Sequence, residues 1–395
     1  MENDFTRRDF LKTVGAATAL AVVGGLPSGL EAGEMRLVRF PEKTELLLLS
    51  SRPPQLETPL SYFTEAVTPN EALFVRWHLS NIPTTVDLST WRLRIGGHVT
   101  GPYDLTFDDL KGFERVTYTA VIQCSGNGRS FFNPRVPGGQ WGNGSMGNVT
   151  WTGVRLKDIL QKAGIRPGAV EVVFDGLDGP PVTTVPDFIK SLPMDKALEE
   201  DIIVAYEMNG TPLLMLNGFP ARIVVPGWYA TYWVKCLQEI TVLDKPFDGF
   251  WMKTAYRLPD NPCGCVPPGT APARTVPISR MTTRSLIIEP AAGSTATLNK
   301  PTEIMGIAFS GGYSIKEVIV STDGGNTWGK ARLGRDLGRY AWIQWRFPWK
   351  PERPGRYTLL AKATNTIGES QPFDDLWNPA GYLWNKVEKT EVSVR

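Results

Sequence analysis

The 395-residue sequence is poor in the side chains that most often carry chemistry. It holds two histidines, His78 and His98, and four cysteines. Four cysteines in a chain of this length do not make a disulfide framework. There is no second Cys pair and no His pair to complete a zinc site. The sequence Cys-x-x-Cys-His is absent, which excludes haem attachment through that motif. An excess of one charge is also missing. Lys and Arg number 42 against 40 Asp and Glu, a formal +2, so nothing points to nucleic acid or to an acidic surface. What the chain has in quantity is Gly (39), Pro (32) and Trp (13). That composition favours short strands joined by turns over long helices. The length predicts two or three domains, each with its own core.

Residues 6–25 pair Arg7 with Arg8 and follow them with a weakly apolar run rich in Ala and Gly. This is the pattern of a twin-arginine export signal. The apolar run 14–26 is shorter than the ~20 residues that span a bilayer, so the segment reads as a signal and not an anchor. Chains exported by this route cross already folded, commonly because a cofactor is inserted in the cytoplasm. Residues 1–34 are therefore set aside as a leader, and the mature protein is expected in the periplasm.

Residues 121–129, Val-Ile-Gln-Cys-Ser-Gly-Asn-Gly-Arg, bring an apolar run to one cysteine and then a sharp turn. Gly and Asn tolerate left-handed backbone, so a strand ends here and folds back. Cys124 reads equally as a buried small hydrophobe or as a thiolate or metal ligand beside the Arg129 cation. Residues 70–80 alternate as a strand would, which puts Arg76 and His78 on one face. Residues 133–148 form a long Gly-rich loop carrying Arg135, Gln140 and Trp141, and such loops are usually functional. A brief helix over 107–113 is capped by Thr106 or Asp108. Residues 151–164 have the spacing of an amphipathic helix ending at Gly164, and 188–192 read as helix or turn. Residues 202–210 are a strand running into an Asn-Gly hairpin turn. The Pro/Gly-rich stretch 259–277 marks a boundary near Pro277. Within it Cys263 and Cys265 stand too close in sequence for an ordinary disulfide. Beyond it, short alternating strands and regular turns predict a β-sandwich of immunoglobulin type.

Several motifs, in order, resemble the sulfite oxidase family of molybdenum enzymes, and within it the bacterial periplasmic sulfite dehydrogenases. They are Phe-Val-Arg-Trp-His (74–78), Gln-Cys-Ser-Gly-Asn-Gly-Arg (123–129) and Thr-Trp-Thr-Gly-Val-Arg-Leu (150–156). Further along come Phe-Asp-Gly-Leu-Asp (174–178), Ala-Tyr-Glu-Met-Asn-Gly (205–210) and Gly-Phe-Pro-Ala-Arg-Ile-Val-Val-Pro-Gly (218–227). The last are Ser-Thr-Asp-Gly-Gly-Asn-Thr-Trp (321–328) and Trp-Asn-Pro-Ala-Gly (377–381). The resemblance implies an α+β fold: a mixed-sheet molybdopterin-binding domain over 45–276, then an immunoglobulin-like dimerisation domain over 277–395. It implies one molybdenum held by a molybdopterin and by Cys124. Phe74, Val75, Arg76, Trp77, His78, Asp178, Asn217, Arg222, Trp233, Val234 and Lys235 would surround the pterin and its phosphate. Tyr256, Arg76, Arg129 and His78 would serve the reaction, with Trp141 lining the pocket. The implied reaction takes two electrons from sulfite and passes them singly to a periplasmic c-type cytochrome, with no haem on this chain. A sulfane-sulfur dehydrogenase of a thiosulfate-oxidising complex is the alternative in the same fold.

The chain departs from the family pattern in three places, one of them Gly128, which stands where vertebrate members carry the first of two arginines. Asn217 stands where the family often has His. The segment 377–384 also lacks the Arg that vertebrate members carry just after Trp-Asn. Lys253, Arg257 and Arg135 are the candidates to replace that cation.

Overall fold

The computed structural model describes residues 36–395; the export signal lies outside the described residues. A long hairpin organises the first half. Strand Arg115–Gln123 pairs antiparallel with Met146–Arg155. β-Branched residues line it, and two cross-strand threonine pairs, Thr117 with Thr152 and Thr119 with Thr150, meet at 2.9 Å. Met146–Arg155 also pairs with Ile203–Met208, which in turn pairs with Arg222–Val224. Cys124 is the first residue past the end of Arg115–Gln123, so this sheet delivers it.

The Met146–Arg155 strand replaces the first half of the expected helix over 151–164; only Leu156–Ala163 is helical. The physical reason is Gly153. It is a poor helix former, and a Cβ there would lie 2.2 Å from the Val204 carbonyl oxygen. Close pairing on both edges therefore outweighs the helical periodicity. Gly164 ends the helix with φ +69°, as its position predicts. Residues 188–192 also differ from expectation, since Lys190–Pro193 is an edge strand paired with Glu171–Gly176. Residues 70–80 are extended only at Val75–Arg76, after a 3-10 turn at Asn70–Ala72.

A second sheet runs Lys190–Pro193, Glu171–Gly176, Leu237–Leu243, Leu93–Gly97, Tyr103–Leu105. Its pair Leu237–Leu243 with Leu93–Gly97 is parallel and the rest are antiparallel, so the sheet is mixed. The short helix Phe107–Lys111 is capped by Thr106, whose hydroxyl accepts from the Asp109 amide while Asp109 reaches back to the Thr106 amide. The Asn-Gly hairpin forms as expected: Asn209 and Gly210 both take positive φ between Ile203–Met208 and Thr211–Pro212. A small sheet of Leu37–Arg39, Glu45–Ser51, Pro54–Glu57 and Val75–Arg76 closes one end.

No strand from beyond Pro277 enters those three sheets. Residues Arg284–Val394 supply two further sheets. One comprises Arg284–Glu289, Thr302–Phe309, Ile343–Trp349 and Arg332–Leu333. The other comprises Thr295–Ala296, Lys389–Val394, Gly355–Asn365, Ile315–Ser321 and Gly329–Lys330. They sandwich a core of Ile304, Val318, Trp345, Leu359 and Val392. The main core runs on from the first half to Leu286, Ile307 and Trp342, where Phe63 meets the Trp342 ring edge-on at 5.0 Å. Among the described residues no helix is long and apolar enough to cross a membrane.

Cys263 and Cys265 are joined by a disulfide, which corrects the reading from their spacing. Gly264 lies between them at φ +60°. That left-handed residue folds the segment back on itself and brings the two Cα atoms within 5.1 Å. Cys124 and Cys236 are free and buried. Thiol titration of the denatured, unreduced, cofactor-free mature chain should therefore find two thiols and not four, with all four appearing after reduction.

Candidate active site

Cys124 is held by the residues that close its loop. Its amide donates to Ser145 O at 2.9 Å, and its carbonyl accepts from the Asn127 amide at 3.0 Å. Asn127 Oδ1 accepts from both the amide and the hydroxyl of Ser145. Farther along, Glu57, 2% exposed, takes the amides of Gly142 and Gly144 at 2.9 and 2.7 Å. A side chain at Gly142 or Gly144 would collide with the Glu57 carboxylate or stem. Both positions thus need glycine to let backbone reach the acid. Asn143 between them bonds the fully buried Arg284, which pairs with Glu388 at 2.7 Å. The cysteine loop is thereby tied to both halves of the protein.

Cys124 opens into a cleft lined by Phe74, Arg76, His78, Ser125, Asn217, Arg222, Trp233, Lys235 and Tyr256, with Ile122, Phe188, Leu216, Ala230 and Thr231. Among the described residues three cations face it and no carboxylate does. Each cation is fixed by carbonyl oxygens. Arg76 donates to Trp77 O at 2.7 Å and Lys235 to Arg76 O at 2.9 Å. Arg222 donates to Asn217 O and Trp233 O, both at 2.8 Å, and lies over the Trp151 ring. Burial pushes Arg222 down to about 9 and Lys235 down to about 7; the nearby Asp178 offsets only part of the hydration that Lys235 loses. Three buried polar atoms in the same wall, Arg222 Nε, Ser125 Oγ and His78 Nδ1, have no partner among the described residues. Such atoms are costly unless a ligand satisfies them. A cationic wall, orphaned donors and one thiol together fit an anionic, metal-bearing group with several acceptors.

His78 Nε2 bonds the Tyr256 hydroxyl, and the imidazole stacks on Phe188 at 3.5 Å between ring centroids. Burial, then Arg76, Lys235 and Lys190, holds the imidazole well below its ordinary range, so it is neutral at neutral pH. Burial raises the Tyr256 phenol, which stays protonated. Tyr256 itself has φ +58°, a conformation that non-glycine residues seldom take outside functional sites.

The other expected site residues fall outside the cleft lining. Val75 and Trp77 point the opposite way from Arg76 and His78, into a cluster with Leu46, Leu56 and Cys236, as a two-residue period requires. Val234 is core, and Asp178 is buried behind the wall near Lys235. Arg129 is buried and bonds backbone at Ala380 and Gly139, both at 3.2 Å. Trp141 packs edge-on against Phe74 at 6.5 Å and does not line the cleft, contrary to expectation. None of the three candidate replacement cations reaches the cleft. Arg257 is spent on Met252 O and Thr275, Arg135 is exposed and bonds Gln140, and Lys253 is exposed.

Two buried lysines had no sequence signal. Lys43 donates to Asn70 O, Leu73 O and Asn217 Oδ1, which orients Asn217 so that its Nδ2 meets Phe74 O at 3.3 Å. Lys190, fully buried, donates to Trp251 O at 2.6 Å and lies 5.0 Å from the Tyr256 ring centre. Burial pushes both ammonium groups down to about 7.

Comparison with known proteins identifies the family. Residues 79–251 match the oxidoreductase molybdopterin binding domain, 275–394 the Mo-co oxidoreductase dimerisation domain, and 4–24 the twin-arginine translocation signal. A sulfite oxidase of Gallus gallus is 33% identical over 360 residues, covering 87% of this chain and 77% of that one. The chain belongs to the sulfite oxidase family. Its cofactor is a molybdopterin carrying molybdenum, and its signal directs it through the twin-arginine pathway to the periplasm. Mitochondrial sulfite oxidases of Drosophila melanogaster and Homo sapiens are each 34% identical, over 87% of this chain. The chain spans under two thirds of their lengths, 62% and 65%. The sulfane dehydrogenase SoxCD of Paracoccus pantotrophus has the same fold, with a TM-score of 0.74 and 26% identity over 93% of this chain and 91% of that one.

Two measurements check the site. Replacing Cys124 with Ser should leave the chain folded and abolish bound molybdenum, read by elemental analysis. In the cofactor-free protein, Lys43, Lys190 and Lys235 bind protons less readily folded than unfolded. Between about pH 7 and 9 the unfolded chain then holds more protons, so stability rises with pH. Thermal melts should show that rise, and Lys43→Met should reduce its slope.

Proposed function

We propose that the chain oxidises sulfite to sulfate and passes the two electrons singly to a separate c-type cytochrome. The observation that carries this reading is the cleft wall: three fixed cations, no carboxylate, and the Cys124 thiol. In this reading Cys124 holds the molybdenum, since a soft thiolate suits it. Arg222, Lys235 and Asn217 take the pterin and its phosphate, with residues 74–78, Trp233, Val234 and Asp178 completing that shell. The bound molybdenum supplies a centre that takes two electrons from sulfur and releases them one at a time.

The protein's own groups bind and orient. Arg76 offers a guanidinium to a sulfur oxyanion, with charge and donors fixed before substrate arrives. Tyr256 stays protonated and shares a hydrogen bond with His78 Nε2. This pair holds a proton beside the cleft and moves it as charge at the substrate changes. Phe188 and Trp251 shield the imidazole from solvent. In the same reading, residues 277–395 join two copies as a homodimer.

A second reading, oxidation of a sulfane sulfur, is supported by the likeness to SoxCD and by the burial of Arg129 away from the cleft. Purified holoenzyme assayed with sulfite and cytochrome c separates the two. We expect sulfite-dependent cytochrome reduction; its absence, with turnover of a sulfane-sulfur substrate, would move the assignment to the second. Tyr256→Phe should lower kcat with sulfite on the order of 10²-fold while leaving molybdenum content unchanged.

A further inference from the structure

We propose that Lys190 is a positioning residue for the reaction: from behind the cleft wall it anchors the rings around His78, and its charge makes the His78–Tyr256 pair release the protons it takes up. The proposal rests on the reading of the cleft as a sulfite site with this pair as its proton relay.

Lys190 opens the edge strand Lys190–Pro193, opposite Phe174. An edge position could turn a lysine to water, yet this side chain is fully buried. Its ammonium group donates to Trp251 O at 2.6 Å and lies 4.7 Å and 5.0 Å from the ring centres of Tyr232 and Tyr256. Among the described residues no carboxylate pairs with it, and the charge that acts on it is another cation, Arg257. A buried ammonium group without an anion is costly. Methionine would fill the same space without that cost.

What Lys190 touches converges on His78. Trp251 meets the imidazole edge-on, with ring centres 5.0 Å apart. Phe188, two residues before Lys190, stacks on the imidazole at 3.5 Å and meets Trp251 at 5.3 Å. Tyr256 bonds His78 Nε2. Lys190 therefore anchors three neighbours of the imidazole: Phe188 through the chain, Trp251 through a hydrogen bond and Tyr256 through its ring face.

Three cations act on His78: Arg76, Lys235 and Lys190. Arg76 and Lys235 line the cleft, where an anionic cofactor and an oxyanion would meet them. Lys190 stands outside that lining, so a bound anion offsets its charge least. Burial brings its ammonium group down to about 7. It is charged below that pH, in the range where an ordinary imidazole, near about 6.5, takes its second proton. The other titratable groups packed here, Tyr232 and Tyr256, are held protonated by burial, and Glu171 on the neighbouring strand acts on Tyr232.

Oxidation of sulfite by water yields sulfate, two electrons and two protons. A relay that serves successive releases has to empty between them. With Lys190 charged, the imidazole gives up a proton taken from the cleft. Without that charge the ring would keep it, both ring nitrogens would donate, and Tyr256 could no longer pass a proton to Nε2.

The test uses purified holoenzyme with labelled histidine, as wild type, Lys190→Met, Lys190→Gln and Lys190→Arg. The chain has two histidines, so His98→Gln assigns the His78 ring signals by nuclear magnetic resonance. Two quantities are read from about pH 5 to about pH 9: the charge state of the His78 ring, and kcat separately from KM with sulfite. Lys190→Arg keeps the charge and should follow wild type. In Lys190→Met and Lys190→Gln the ring should take its second proton about one pH unit higher, and the acid limb of kcat should move up with it. At about pH 6 that is a loss of about tenfold in kcat, with KM within about threefold of wild type. At about pH 8, where Lys190 is neutral in wild type as well, kcat should agree within about twofold. Lys190→Gln keeps a donor for Trp251 O and so separates the charge from the hydrogen bond. The proposal is overturned if the neutral variants leave the ring titration and the acid limb where wild type has them. It is equally overturned if kcat falls by the same factor at every pH, the mark of a merely structural role, or if Lys190→Arg behaves as the neutral variants do. Should one neutral variant fail to fold, the other is held to the same outcomes. If wild type does not oxidise sulfite, the proposed function fails while the ring titration still decides the role of Lys190. If it does and the titrations coincide, the role of Lys190 alone fails.

Discussion

Buried positive charge is the constraint on which the structure depends. Arg76, Arg222 and Lys235 face one cleft, and Lys43 and Lys190 stand behind its walls, with no carboxylate in the lining. Buried cations without partners are expensive. The fold offsets that cost with what it has: main-chain carbonyls, tryptophan and tyrosine faces, and short irregular segments that turn carbonyl groups inward. The brief 3-10 turns at Asn70–Ala72 and Met215–Asn217 are part of this provision, since their carbonyls at Asn70 and Asn217 receive Lys43 and Arg222. An anionic cofactor then completes a charge balance that the protein leaves open. Cofactor binding and folding stability are coupled on this account.

The scaffold around that cleft is layered by rigidity. The hairpin of Arg115–Gln123 and Met146–Arg155 is paired along its whole length and backed by a second antiparallel neighbour. It presents Cys124 from a fixed base, while Glu57, Asn127 and Arg284 hold the loop beyond it. Tyr256 comes from a different source, an irregular stretch stacked on that around Tyr382, where backbone is strained. Cys124 thus hangs from a sheet, while Tyr256 and Tyr382 sit on irregular backbone. That division lets the pocket vary while the cofactor site stays fixed.

Much of this was legible in the sequence where local rules govern. Alternation placed Arg76 and His78 together, and the Ser-Gly-Asn-Gly turn marked Cys124 as the end of a strand. Turn chemistry located the Asn-Gly hairpin, and the change in texture near Pro277 located the sandwich. Local rules failed where distant segments decide the outcome. Residues 151–155 have helical spacing but are taken into a sheet by two neighbours. Lys43 and Lys190 look like ordinary surface lysines, because their acceptors come from remote backbone. Arg129 and Trp141 follow the family pattern in position, yet neither lines the cleft.

The Cys263–Cys265 bond carries a consequence for the order of events in the protein's life. Thiols in the cytoplasm are kept reduced, and disulfides persist in the periplasm. A chain that crosses the membrane already folded must therefore complete its fold with these two thiols still free. The hairpin of Arg257–Pro259 with Thr275–Pro277 encloses the pair, and its closure cannot depend on the bond. The disulfide is then a mark added at the destination. It separates molecules that have arrived from those still waiting inside, although both hold the same cofactor in the same cleft.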